Sequence, residues 1–263
     1  MSGAVWRLLR DGAGSAAWNM SVDEALLLEA RTDSPVLRLY GWERPSLSLG
    51  YRQDPEPWLE RARALGIDVV RRASGGGAVL HGGDLTYAIV APRGVAGVPA
   101  DARGSGAWIR DWLLEALRRA GLAAVASSGV ERAAHAEVCF SASTGTEIDL
   151  EGLKLVGSAQ RRTRFGFLQH GSIRLHDDAG LVRALFGEAS GYATRAFSTS
   201  AEPLRCALVA SFGDAVGGRV AEASLREREA ELAYARASER ACDPLALPPL
   251  SLRTAPISAD SFS

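Results

Sequence analysis

The chain has 263 residues, of which 47% are hydrophobic and 23% charged, ordinary globular usage with ample length for a packed core. The formal net charge is -1, so no global basic field exists to hold nucleic acid or an anionic membrane. Three widely spaced cysteines (Cys139, Cys206 and Cys242) form no CxxC, which argues against a disulfide framework and against a metal site and points to a reducing cytoplasm.

The opening MSGAVWRLLRDGAGS has no apolar run of signal-peptide length, and no later stretch is apolar enough to span a membrane. Residues 15–31 read as a helix capped by Ser15, with Trp18, Val22, Ala25, Leu26 and Leu28 on its apolar face. VLRLYGW (36–42) and SLSLGY (46–51) read as strands joined by a turn at ERP, and residues 55–65 as a short helix. IDVVRR (67–72) is a strand that runs into SGGGAV, and DLTYAIV (84–90) is another. Residues 101–121 predict an amphipathic helix with Trp108, Ile109, Trp112, Leu113, Ala116 and Leu117 facing inward. HAEVCF (135–140), TEIDLEG (146–152), KLVGSAQRR (154–162) and FGFLQHGSIRL (165–175) read as strands, with a hairpin turn at Glu151-Gly152. Past about residue 180 the patterns are helical, ending in a loose Pro- and Ser-containing tail. Strands and helices mix without a strict βα repeat, which predicts an α+β fold, a mixed sheet flanked by helices, over residues 1–180, with a helical extension over 181–263.

The richest stretch for chemistry is RRASGGGAVLHGGDLTY (71–87). Three consecutive glycines after a strand let backbone N–H groups come close to an anionic oxygen: a phosphate, a carboxylate or the oxyanion of a tetrahedral intermediate. The spelling is neither a Walker A loop nor GxGxxG. Arg71 and Arg72 precede the loop on opposite faces of the strand, and His81, Asp84 and Tyr87 follow it. A structural glycine turn competes with a ligand site for the glycines alone; the polar rim favours the site.

Lysine and arginine together number 30, yet the chain has a single lysine, Lys154. A lone ammonium among guanidiniums suggests a position where arginine cannot substitute. Cys139 precedes it, where a strand candidate meets a Ser/Thr/Gly loop. An ammonium beside a thiol favours the thiolate, the nucleophile that attacks thioesters. Cys206 and Cys242 lie in helical patterns and read as incidental.

Taken together, NMSVDEAL (19–26), SLSLGYRQ (46–53), RRASGGGAVLHGGDLTY, CF (139–140), GLKLVGSAQRR (152–162) and LQHGSI (168–173) resemble the lipoate-protein ligase / octanoyltransferase family, whose catalytic fold is shared with biotin-protein ligases. The resemblance implies a class II synthetase-like catalytic domain. It implies catalytic roles for Cys139 and Lys154, and substrate contacts from Arg72, Ser74, Gly75, Gly76, Gly77, His81, Gly157, Ser158 and His170. HGGDLTY and Cys139-Phe140 are similar to the cysteine-dependent octanoyltransferases, whereas GGGAV is the ligase-like spelling. The transferase reading implies no cofactor, octanoyl-acyl carrier protein as donor, and a lysine of a lipoyl-domain protein or of the glycine-cleavage H protein as acceptor. The rival readings are an ATP- and Mg-dependent lipoate ligase, an amidotransferase between lipoyl proteins, and a non-catalytic binder of lipoyl domains.

Overall fold

The computed structural model describes residues 4–30, 34–127, 147–176, 179–187 and 200–245. The HAEVCF segment, and Cys139 within it, lie outside the described residues. In chain order the elements begin with β1 (Trp6–Gly14), α1 (Ala16–Leu28), β2 (Val36–Trp42), β3 (Ser46–Leu49), α2 (Glu56–Ala64), β4 (Asp68–Arg71), β5 (Val79–His81), β6 (Asp84–Pro92) and α3 (Ala102–Arg119). They continue with β7 (Val125–Ala126), β8 (Ile148–Leu150), β9 (Leu153–Arg162), β10 (Gly166–Arg174), α4 (Ala179–Phe186), α5 (Ala201–Val216), β11 (Val220–Glu222) and α6 (Glu227–Cys242).

The main sheet has eight strands in the order β11-β1-β2-β6-β10-β9-β8-β7, parallel at β11-β1-β2 and antiparallel beyond. Strand alternation sends two sets of side chains to opposite faces. Leu37, Leu39, Leu85, Tyr87, Ile89, Phe167 and Ile173 face α3 and α5, where Trp6, Trp112 and Phe212 complete the core. Val36, Tyr40, Ala88, Val90 and Leu168 face α1 and α6. A smaller sheet, β4-β3-β5, packs with α2 and α4 around Leu47, Leu49, Trp58 and Leu185.

The sequence reading of a mixed sheet flanked by helices holds. The helical patterns after residue 180 form α4, α5 and α6, while β11 adds a parallel strand beside β1. Strands β1, β5, β7 and β11 are additions to the elements read from sequence. Glu151 (φ 51°) and Gly152 (φ 78°) both take the left-handed conformation, as a two-residue hairpin turn between β8 and β9 requires.

Helix α1 is the element that sequence describes least well. Ser15 caps it as expected, accepting from the Trp18 N–H at 3.2 Å. Its polar residues Asn19, Ser21, Asp23 and Glu24 are as buried as its leucines, because the sheet covers one side and α6 the other. Glu24 and Arg240 are both fully buried and form an ion pair, and Arg236 donates to Glu24 at 3.0 Å. Arg7 makes a bidentate bridge to Glu229 at 2.6 and 2.7 Å, tying β1 to α6. Removing one member of a buried pair strands the other charge, so Glu24→Ala should cost about 3–5 kcal/mol. A lower urea midpoint with an unchanged m value is the expected measurement.

Candidate active site

One end of the α1-facing side of the main sheet is not filled by hydrocarbon. There the small sheet, carrying the glycine loop, folds over β9, β10, β6 and β2. Between the two lies a narrow pocket with about 30 Å³ of interior space. It runs across the strands, from Gly157, Ser158 and Ala159 past His170 and Ser172 to Thr86, Tyr40 and Trp42, with Met20 of α1 and Val79 among its walls.

Two carboxylate–imidazole–hydroxyl chains hold this region. In the first, Asp23 accepts from Nδ1 of His170 at 2.8 Å, and Nε2 of His170 lies 2.5 Å from the Ser74 hydroxyl. Asp23 also accepts from Arg38 at 2.7 Å and from the Tyr40 hydroxyl at 2.8 Å. In the second, Asp84 accepts from Nδ1 of His81 at 2.8 Å, and Nε2 of His81 lies 2.9 Å from the Ser48 hydroxyl. Thr86 and Ser172 also donate to Asp84, at 3.0 and 2.7 Å, and the Trp42 ring stacks on His81 with centroids 3.8 Å apart. Each ring has a carboxylate at Nδ1 and a serine hydroxyl at Nε2, which fixes its orientation.

The glycine loop is clamped from within. Arg72 donates to the carbonyls of Gly75 and Gly77 at 2.7 and 2.8 Å and to that of Ser48 at 2.9 Å. Gly76 has φ +88°, and a Cβ at Gly50 would overlap its carbonyl oxygen, so both glycines are required for the loop to close on β3. Arg71 points elsewhere, holding the carbonyls of Gly50, Tyr51 and Gln53 at 3.0, 3.1 and 2.9 Å.

Lys154 is 4% exposed and forms an ion pair with buried Glu147 at 3.2 Å. Pairing between β8 and β9 shifts register next to it, and beyond the shift both Leu155 and Val156 enter the core against α3. Such a bulge places two successive side chains on one face. Lys154 therefore shares the opposite, pocket-side face with Gly157 and Ala159, which are paired with Ser172 and His170. Ser158 points through to the core side, where its hydroxyl lies 2.7 Å from that of Tyr87. Burial pushes the Tyr87 phenol up to about 12, so it stays neutral as a hydrogen-bonding group.

Of the residues named from sequence, Arg72, His81, Gly157, Ser158 and His170 line the pocket, and Ser74 supports it through His170. Gly75, Gly76 and Gly77 form the clamped loop. The carboxylate Asp23 was not singled out, although it sits in NMSVDEAL; neither were Ser48, Thr86 and Ser172. An aspartate in the middle of an otherwise buried helix was the available signal for Asp23.

Residues 15–205 match the lipoyl protein ligase A/B catalytic domain. The chain belongs to that family. Octanoyltransferase LipM of Kyrpidia tusciae is 37% identical over 87% of this chain and 93% of its own length. Octanoyltransferase LipM of Bacillus subtilis is 35% identical over 71% of each chain. Among solved structures, a lipoate protein ligase from T. acidophilum with bound lipoic acid superposes with a TM-score of 0.75 at 25% identity, covering 91% of this chain and 96% of that one. A lipoate-protein ligase A bound with ATP gives a TM-score of 0.76 at 24% identity over 91% and 95% of the two chains, a likeness of fold. The ligase A/B frame thus extends through the site and into the helices beyond it.

Asp23 and Asp84 both titrate below the ordinary carboxylate range. Burial pushes each carboxyl up, but the His170 hydrogen bond and Arg38 outweigh it at Asp23, and the His81 ring and Ser172 outweigh it at Asp84. A carboxyl whose folded pKa is depressed stabilises the fold above its unfolded value, and that contribution is lost as pH falls through the folded value. A D23N/D84N double variant should therefore be less stable than the parent at pH 7, by about 3 kcal/mol or more. The gap should narrow as pH drops below about 4, the unfolded carboxylate value. Urea midpoints at pH 7 and pH 3 measure both.

Proposed function

We propose that the chain is an octanoyltransferase that moves an octanoyl group from octanoyl-acyl carrier protein to a lysine of a lipoyl-domain protein by way of a Cys139 thioester. The names of its relatives support acyl transfer over adenylation. The observation that carries the chemistry is Lys154: the sole lysine of the chain is held in the interior by Glu147 on the strand that floors the pocket.

The apolar walls suit a saturated acyl chain, whose burial contributes about 0.8 kcal/mol per CH₂. The Cys139 thiolate attacks the thioester carbonyl and the carrier's thiol departs. Lys154 supplies positive charge to the acyl oxygen, and N–H groups of the glycine loop hold the oxyanion. The acceptor's amine then displaces the thiolate to form an amide. Thioester exchange is nearly balanced and amide formation runs downhill, so no ATP or metal enters. Donor and acceptor are cytoplasmic proteins, and the reaction belongs there; no helix among the described residues is long and apolar enough to cross a membrane. A lipoyl-domain protein or the glycine-cleavage H protein is the acceptor class.

Intact mass after incubation with octanoyl-acyl carrier protein should show one octanoyl adduct, absent in Cys139→Ser. Lys154→Arg keeps the charge but should lose at least a hundredfold in kcat, about 2.7 kcal/mol of barrier. Full activity of Cys139→Ala, or pyrophosphate release from ATP with free lipoate, would assign the site to a ligase instead.

A further inference from the structure

Strand β9 carries a second cation on the pocket side, and no carboxylate among the described residues pairs with it. Arg161 pairs with Leu168 across the β9–β10 ladder, which puts it on the face shared by Gly157 and Ala159, where His170 and Ser172 oppose them. It is only 9% exposed, yet its Nε and Nη2 have no hydrogen-bond partner among the described residues. The guanidinium lies over the ring of Tyr51, 5.0 Å from its centroid, in the turn that follows β3. That turn is tied to the glycine loop by the Tyr51 N–H, which donates to the Ser74 carbonyl at 2.8 Å. Among the described residues, the other charge acting on Arg161 is that of exposed Arg52, of the same sign. A buried guanidinium with two orphaned donors and a like charge beside it is costly unless an anion occupies the space in the working complex.

Its position along the strand limits what that anion can be. Arg161 lies seven positions after Lys154, roughly 20 Å at about 3.3 Å per residue once the bulge is allowed for. The pocket meets β9 at Gly157–Ala159, between the two cations, and leaves it sideways across β10 and β6, so neither Lys154 nor Arg161 lines it. A ligand that touches both cations must run along β9, past the glycine loop, with its reacting carbonyl at one end and its negative charge at the other. A pantetheine arm has this form. About a dozen bonds separate its sulfur from its phosphate oxygen, roughly 16 Å when extended, and the two long side chains span the remainder.

We infer that Arg161, with Arg52 at its rim, is the binding site for the phosphodiester at the root of the donor's pantetheine arm. The inference rests on the acyl-carrier reading above and adds to it the part of the donor that the enzyme recognises. A charge-assisted contact to phosphate made equally in the ground and transition states acts on KM and leaves kcat nearly constant.

The test compares two octanoyl donors on the wild type and on Arg161→Gln: octanoyl-acyl carrier protein, and octanoyl-N-acetylcysteamine, which lacks the phosphate. The expected result is a tenfold or larger rise in KM for the carrier-protein donor, with less than a twofold change for the small thioester. Arg52→Gln should show the same selectivity at about threefold. Equal loss with both donors would make Arg161 a structural residue and overturn the assignment, as would no loss with either. A rise confined to the acceptor's KM would give the cation to an acidic group of the acceptor, and also overturn it. Calorimetric binding of phosphopantetheine against pantetheine needs no turnover. A preference for the phosphate form that vanishes in Arg161→Gln supports the site even if the wild type fails to use carrier protein, and no preference in the wild type refutes it.

Discussion

The site depends on one buried carboxylate. Asp23 projects from a helix covered on both sides and meets Arg38, Tyr40 and His170 from two strands of the main sheet. An ionised carboxylate at this depth is costly unless its lone pairs are filled, and three donors fill them. Their geometry fixes where α1 sits on the sheet. His170 then passes the constraint to Ser74, the residue before the three glycines, so the loop is positioned from the helix through an imidazole. The Asp84 chain works in the same way on the opposite side of the pocket, reaching Ser48 on β3. The small sheet is thereby held at its loop and at its central strand by two polar relays, one starting from α1 and the other from β6.

Regular elements were legible because their signals are local. Ser15 caps a helix, Glu151-Gly152 turns a hairpin, and the apolar spacing of Ile109, Trp112, Leu113, Ala116 and Leu117 identifies the buried face of α3. The relays were less legible because they join residues distant in sequence: Asp23 and His170 are 147 positions apart, Ser74 and His170 96. Helix α1 carries little amphipathic pattern because both sides are covered, so periodicity does not separate the buried Asp23 from a solvent-facing acid. The bulge at Leu155-Val156 is a further case. Simple alternation from Lys154 would put Gly157 on the opposite face, and only the register with β8 brings the lysine round to the pocket side.

The arginines and the lysine divide the work by shape. Guanidinium groups are planar forks with several fixed donors, suited to clamping carbonyl oxygens that lie around them. Arg72 gathers the carbonyls of the glycine loop, Arg71 those of the turn after β3, and Arg174 the carbonyl of Lys154 itself, at 2.9 Å. Each fixes backbone. An ammonium is a compact charge with three donors about a rotatable bond, and it can exchange one partner for another without repositioning a plane. At Lys154 the charge is kept in the interior by Glu147, while Arg174 fixes the strand beneath it. A guanidinium in that place would need several acceptors arranged in its own plane, and would compete with Arg174 for the same backbone. The near-complete replacement of lysine by arginine elsewhere in this chain therefore stops at a buried position where a compact ammonium fits and a planar fork does not.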